Sequence, residues 1–327
     1  MDADTGTSTY YRAMTQFRHA GVRLTRRAFI AAAGAVGITA GLGPFPAAGE
    51  ARATHMRAIA KSGERIPAIG MGSWITFNVG QNKKLRDARA EVLQAFFDLG
   101  GGMVDSSPMY GSSEEVIGYC LKQIANDDAL FSATKVWTLT KARGIRQMER
   151  SEALWDERPF DLLQIHNLLD WEAHMETLKV WKGEGRVRYI GVTTSHGRRH
   201  NELEAVMNSQ PLDFVQFTYN ILDREAEQRL LPLAADKGLG VIVNRPFRRG
   251  ALFDRVDGHK LPGWAGEIDC ANWAQFFLKF IISHPAVTCA IPATSQVGHM
   301  RENMAALTGP LPDAAMRARM IRFVDEL

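Results

Sequence analysis

Short apolar runs alternate with amphipathic stretches along nearly the whole chain beyond residue 53, the pattern of strand–helix units built around a parallel sheet. The spacing predicts eight strands, at 69–74, 103–105, 130–135, 162–166, 187–193, 214–217, 240–244 and 288–291. Between them, apolar residues recur at i, i+3, i+4 and i+7, as in Val92, Ala95, Phe96 and Leu99, or in Trp273, Phe276, Phe277 and Phe280, which predicts helices. Eight units in about 270 residues suit a single-domain α/β fold, a closed (β/α)8 TIM barrel. An open, doubly wound sheet would want a glycine-rich turn leading into a helix after the first strand. Gly70-Met71-Gly72-Ser73-Trp74 lacks the third glycine and the helix start. Two segments break the rhythm. Residues 245–269 hold Gly250, Gly258, Pro262, Gly263 and Gly266 among charges and read as a long loop after the seventh strand, on the active face of a barrel; 313–327 reads as a closing helix.

The first 53 residues stand apart from this pattern. They begin with a long polar part ending in Thr25-Arg26-Arg27-Ala28-Phe29-Ile30. A mildly apolar, uncharged run follows over 31–43, and Ala51-Arg52-Ala53 offers a small-x-small cleavage site. The order resembles a twin-arginine export signal, which implies removal of residues 1–53, a folded barrel over 54–327 and a periplasmic or otherwise exported location reached through the export machinery. The apolar run is too short and glycine-rich for a stable membrane anchor across about 30 Å of hydrocarbon.

Charge sharpens the division. The chain of 327 residues carries 39 Lys and Arg against 36 Asp and Glu. Six of the bases and three of the acids fall in residues 1–53, so the remainder is balanced at 33 against 33. A neutral body has no polyanion signature, which excludes nucleic acid as the expected partner. Cys120, Cys270 and Cys289 are widely spaced without any CxxC, and read as buried structural thiols, with one disulfide as the alternative. His196 and His200 lie four apart but beside Arg198 and Arg199, a basic setting that argues against a metal.

Polar and ionisable groups collect at the C-terminal ends of the second, third and fourth strands: Asp105, Tyr110 five residues later, Lys135 and His166. A phenol of ordinary pKa about 10 is a poor acid or base near neutrality unless a cation stabilises its phenolate. Lys135 can supply that cation, Asp105 can hold Lys135, and His166 can orient a carbonyl by hydrogen bonding. Such a group protonates an oxygen as hydride reaches its carbon.

These residues sit in longer motifs: Ile66-Pro67-Ala68-Ile69-Gly70-Met71-Gly72-Ser73-Trp74, Val104-Asp105-Ser106-Ser107-Pro108-Met109-Tyr110-Gly111, Thr134-Lys135-Val136-Trp137, Leu163-Gln164-Ile165-His166 and Ile291-Pro292-Ala293-Thr294. Through them the chain resembles the aldo-keto reductase superfamily over nearly all of its length beyond the leader. The resemblance places the family's catalytic tetrad on Asp105, Tyr110, Lys135 and His166. It implies NAD(P)H-dependent reduction, or the reverse oxidation, of an aldehyde, ketone or sugar-derived carbonyl, with Tyr110 giving the proton. NADP is the expected cofactor, with NAD as the other candidate, and a small carbonyl or alcohol is the substrate.

The resemblance also assigns Ser73, Trp74 and Gln216 to the cofactor. Thr193-Thr194 stand where many members have Ser-Asn, and Arg245 with Phe247 occupy the segment that often supplies a stacking aromatic. Thr294, His299, Glu302 and Asn303 fall on the adenine-side segment. There Ala293 and His299 replace a common lysine and arginine, which weakens the clamp on a 2′-phosphate; Arg301 is a substitute cation. Trp74, Phe77, Asn167, Leu168, Phe247 and Trp264 are expected to wall the substrate pocket. Two other classes remain: an exported nucleotide-binding barrel acting as a non-catalytic subunit, and a different barrel reaction such as sugar isomerisation or metal-assisted hydrolysis.

Overall fold

A computed structural model describes residues 55–156 and 159–327. The chain enters as an antiparallel hairpin, β1 (Met56–Ala58) and β2 (Arg65–Pro67), with Met56 opposite Pro67. Eight parallel strands follow: β3 (Met71–Gly72), β4 (Met103–Asp105), β5 (Phe131–Val136), β6 (Phe160–Ile165), β7 (Val187–Thr193), β8 (Phe214–Thr218), β9 (Gly240–Asn244) and β10 (Cys289–Ala290). They pair in chain order, and isolated bridges from Ile69 to Ala290 and from Gly72 to Ala293 join the two ends into a ring. The expected (β/α)8 barrel is therefore the observed one. The residue pairs Gly72–Asp105, Lys135–Gln164, Thr193–Gln216 and Thr218–Asn244 lie side by side at the strands' C-terminal ends, so register alone gathers polar groups on one rim.

The burial pattern explains why these strands read as continuous apolar runs: every residue of β5 and β6 is buried, as parallel strands covered on both sides require. Met103, Phe131, Leu162, Tyr189, Phe214 and Ile242 fill the barrel interior. The hairpin, which the sequence reading did not predict, adds Ile59 and Ile66 to this interior cluster. Its loop is tied to the barrel where Arg188 bridges Glu64 and Asp161 and the Tyr189 hydroxyl lies 2.8 Å from Glu64 Oε2.

The outer helices are α1 (Lys83–Asp98), α2 (Ser113–Leu121), α3 (Lys141–Trp155), α4 (Trp171–Gly183), α5 (His200–Ser209), α6 (Leu230–Asp236), the short α7 (Ala251–Arg255), α8 (Trp273–Ile282), α9 (Val297–Ala305) and α10 (Ala314–Asp325). Side-chain caps start several of them: Asn82 accepts from Leu85 N, Asn272 from Gln275 N and Asp313 from Met316 N. The face of α1 is slightly rotated from the expected one, with Val92, Leu93, Phe96 and Phe97 buried and Leu99, just past the helix, left exposed. The closing helix stands where expected. The segment after β9 is less open than a plain loop, since it forms helical turns at Arg248–Gly250, α7 and Gly263–Ile268. Buried Lys279 of α8 anchors its end by donating to Ile268 O at 2.5 Å.

All three cysteines are buried and free, so the disulfide alternative is not realised; burial pushes the Cys120 thiol up to about 12 and Cys270 up to about 11. Among the described residues no helix is long and apolar enough to cross a membrane.

Close helix packing sets one sharp constraint. A Cβ on Gly118 in α2 would lie 1.8 Å from the Leu154 carbonyl oxygen of α3. Alanine is ordinarily favoured over glycine inside a helix by about 1 kcal/mol, but overlap with fixed backbone commonly costs about 1–3 kcal/mol or more. Gly118→Ala is therefore expected to lower stability by about 2 kcal/mol. Thermal unfolding checks this, and an unchanged midpoint would mean that α2 and α3 part freely.

Candidate active site

The rim at the C-terminal ends of the strands holds a buried ion pair. Lys135, from β5, is fully buried and places Nζ 2.5 Å from Asp105 Oδ2 and 2.7 Å from the Ser106 carbonyl oxygen. The other Asp105 oxygen accepts from Gln164 Nε2 at 3.2 Å and Gln216 Nε2 at 3.1 Å. Four hydrogen bonds thus fix one carboxylate and one ammonium in a buried site, where an unpaired charge would be costly.

Above this pair stands Tyr110, delivered by a single 3-10 turn, Pro108–Tyr110, that Ser107 caps through Met109 N at 3.2 Å. Lys135 Nζ is 5.4 Å from its ring centre, and His166 meets the ring edge-on at 5.6 Å and 88°. All four expected catalytic residues therefore converge. Their electrostatics differ from the sequence expectation in one respect. Desolvation, and then the negative charge of Asp105, hold the Tyr110 hydroxyl well above its ordinary value, so the cation below does not prevail. Burial also lowers Lys135, against the opposing pull of Asp105. Tyr110 is accordingly a neutral phenol, a proton donor, throughout the physiological range.

His166 is buried, and desolvation followed by repulsion from Lys135 brings it down to about 3, so it is neutral at pH 7. Its Nδ1 lies 2.8 Å from Ser107 Oγ. In the tautomer in which Ser107 Oγ donates to Nδ1, the imidazole proton stands on Nε2 as a donor. Ser107 was not singled out in the sequence. Its position between the tetrad's Asp and Tyr was the available signal.

A cavity of about 500 Å³ opens over these groups, lined by Asp105, Tyr110 and His166 but not by Lys135, which lies beneath. Seven of the expected cofactor residues are on its wall: Ser73, Trp74, Thr193, Thr194, Gln216, Arg245 and Phe247. They are not equally available. Ser73 Oγ is 2.8 Å from Ser106 Oγ, Thr193 Oγ1 accepts from Asn167 N at 3.0 Å, and Gln216 is engaged with Asp105. By contrast, buried Thr194 Oγ1 and Arg245 Nε and Nη1 have no hydrogen-bond partner. Phe247 packs on Phe253 with ring centres 4.8 Å apart.

The other four, Thr294, His299, Glu302 and Asn303, are not on this cavity. Thr294 is buried and accepts from Gln296 N just before α9, Asn303 is buried within α9, and His299 and Glu302 are exposed on it. Arg89 of α1 reaches this segment, donating to Ser295 O at 3.3 Å, a cation the sequence reading missed because it lies far away along the chain. Arg301 instead lines an outer groove with Glu91 and Asp98. The residues expected on the substrate wall divide between the cavity and the core. Trp74, Asn167 and Phe247 line the cavity, whereas Phe77 and Leu168 are buried in the core and Trp264 packs on Phe276 and Phe323.

A parallel barrel that sets a neutral phenol and a neutral imidazole beside a cavity, over a buried Lys–Asp pair, defines an acid–base catalyst acting at an oxygen atom. Residues 68–319 match the model of the aldo/keto reductase family, and the chain belongs to that family. It is 28% identical over 213 residues to the aldo-keto reductase YhdN of Bacillus subtilis, covering 61% of this chain and 63% of that relative's length. It is 24% identical over 256 residues to the methylglyoxal reductase YeaE of Escherichia coli, covering 77% and 89%. An aldo-keto reductase structure from Klebsiella pneumoniae in complex with NADPH aligns with a TM-score of 0.67 at 25% identity, over 82% of this chain and 94% of that one.

Proposed function

We propose that this chain is an NAD(P)H-dependent oxidoreductase that reduces an aldehyde or ketone carbonyl, with NADP as cofactor and Tyr110 as the proton donor. The observation that carries the reading is the shared cavity of Tyr110 and His166 above the Asp105–Lys135 pair. The residues present fit a polar dinucleotide, because Thr194 Oγ1 and the Arg245 guanidinium leave unused donors in the cavity wall. When bound, the reduced nicotinamide supplies hydride to the carbonyl carbon. His166 Nε2 orients the carbonyl oxygen, and Tyr110 Oη passes its proton to that oxygen as charge develops. Lys135, fixed by Asp105, then stabilises the phenolate left on Tyr110 until solvent reprotonates it. The relatives' names favour small carbonyl compounds, and NADPH in the Klebsiella structure favours the phosphorylated dinucleotide.

Since burial keeps Tyr110 protonated, reduction should hold level into alkaline solution, while oxidation of the alcohol, which needs the phenolate, should be slow at pH 7 and climb with pH. Absorbance decay of NADPH and then NADH, with a panel of aldehydes, ketones and dicarbonyls, tests the reading. Absence of decay with every pair, in folded protein that retains nucleotide, would favour a nucleotide-binding subunit without turnover.

The same proposal places the enzyme outside the cytoplasm. The support is the order Arg26-Arg27, apolar run, Ala51-Arg52-Ala53, all of it outside the described residues. A reporter fused to residues 1–53 should be exported, and Arg26→Lys with Arg27→Lys should retain it in the cytoplasm. Equal export of both fusions would remove the twin-arginine reading.

A further inference from the structure

We infer that Ser107 is a positioning residue for carbonyl reduction: its hydroxyl holds the His166 imidazole in one orientation and one tautomer, so that the nitrogen left facing the cavity carries the proton. The inference rests on the carbonyl-reductase reading and deepens it by naming the group that makes His166 a hydrogen-bond donor to the substrate oxygen.

Left to itself, a neutral imidazole has no fixed choice. The ring can make a half-turn about χ2 and exchange its edges, and it carries its proton on either nitrogen. A carbonyl oxygen needs the proton on the nitrogen it meets, because the other tautomer presents a lone pair there. The backbone fixes only the root of the ring. Asn167 and Leu168, directly after His166, both stand at φ 53°, and Asn167 N donates to Thr193 Oγ1 at 3.0 Å. Ser107 supplies the missing constraint.

Ser107 is fully buried, and its Oγ lies 2.8 Å from His166 Nδ1 and 3.2 Å from Met109 N, which donates to it. Among the described residues the hydroxyl has no third partner. With the imidazole proton on Nδ1, the serine hydrogen would be left buried without an acceptor, a costly arrangement. With the proton on Nε2, the serine hydrogen goes to Nδ1 and both buried groups are matched. A half-turn of the ring would set a carbon against Ser107 Oγ and lose the bond. Nε2 is then the nitrogen offered to the cavity, beside the Tyr110 ring that meets the imidazole edge-on at 5.6 Å. Ser107 also caps the turn that delivers Tyr110, whose N donates to the Ser107 carbonyl at 2.9 Å. One residue therefore holds both groups that meet the substrate oxygen.

The test is nitrogen NMR of the full chain labelled in its histidines, read beside the kinetics of NADPH consumption. In the wild type His166 should show a protonated Nε2 and a bare Nδ1 at neutral pH. Ser107→Ala should bring a protonated Nδ1 into view and lower kcat by about tenfold or more, the effect of one unmatched buried hydrogen bond. NADPH affinity, from fluorescence titration, should stay within about twofold. Ser107→Thr, which keeps the hydroxyl, should restore the Nε2–H tautomer and part of the rate. In a His166→Phe background, Ser107→Ala should change kcat by less than about twofold, because its effect passes through the imidazole. A wild type with its proton on Nδ1 overturns the inference, and so does an unchanged tautomer in Ser107→Ala. A full further loss in the His166→Phe background also overturns it, leaving Ser107 as a cap for the Tyr110 turn alone. The wild-type spectrum needs neither turnover nor a folded variant. Reduction of no carbonyl by the wild type would instead bring down the reductase reading, whatever the spectrum shows.

Discussion

Tyr110→Phe should lower turnover by about 10²- to 10⁴-fold, the range ascribed to a positioned general acid, while leaving NADPH affinity within about twofold. The reasoning is geometric. The Tyr110 hydroxyl makes no hydrogen bond among the described residues, so no folding contact depends on it, and phenylalanine keeps the edge-on packing against His166 and the place above Lys135. Only the proton is lost. Of the remaining groups beside the cavity, His166 is a neutral imidazole too weakly basic to hold a second proton, and Lys135 is tied to Asp105 and the Ser106 carbonyl. Neither can take over. Single-turnover rates with saturating NADPH, compared with fluorescence titration of NADPH, separate chemistry from binding. Turnover within tenfold of wild type would take Tyr110 out of the proton path, and a large loss of NADPH affinity would recast it as a binding residue.

How much of this was legible in the sequence depends on whether a residue's role is local. The strands at 103–105, 187–193 and 240–244 match their expected ends, each built on buried apolar residues such as Met103 and Val104, Ile190 and Val192, or Val241, Ile242 and Val243. The tetrad was readable because strand ends of a barrel point to one face, so Asp105, Lys135 and His166 had to share a rim. The hairpin at 56–67 escaped because two three-residue strands carry no period, and their partners are barrel-floor side chains met much later in the chain. Phe77, Leu168 and Trp264 were misplaced for a related reason. An aromatic or aliphatic residue in a loop near the site has the same composition whether it faces the cavity or the core, and only packing decides. The state of Tyr110 was misjudged because proximity of Lys135 is visible in the motif, whereas desolvation and the negative charge of Asp105 are properties of the assembled site. Gln216 illustrates the same limit: its hydrogen bond to Asp105 joins residues 111 apart in the chain.

Lys135→Met carries the other large effect, and here stability and catalysis separate. Methionine fills the volume of the lysine stem but strands the Asp105 carboxylate, fully desolvated, with only the two glutamine amides as donors. Removing one partner of a buried pair typically costs about 3–5 kcal/mol, so chemical denaturation should show a loss of that order. Replacing both partners, in Asp105→Asn with Lys135→Met, leaves no charge to desolvate and should recover most of it. Turnover should not recover, because the phenolate on Tyr110 would still form without a cation 5.4 Å from its ring centre. A double variant as unstable as Lys135→Met would show that packing of the lysine stem, rather than its charge, supports the barrel. A double variant restored in turnover would show that the cation is not needed once Tyr110 has given up its proton. The pair is thus held by the fold's intolerance of a lone charge and used by the chemistry as a ready counter-ion, and the two single-site roles can be told apart only by removing both residues together.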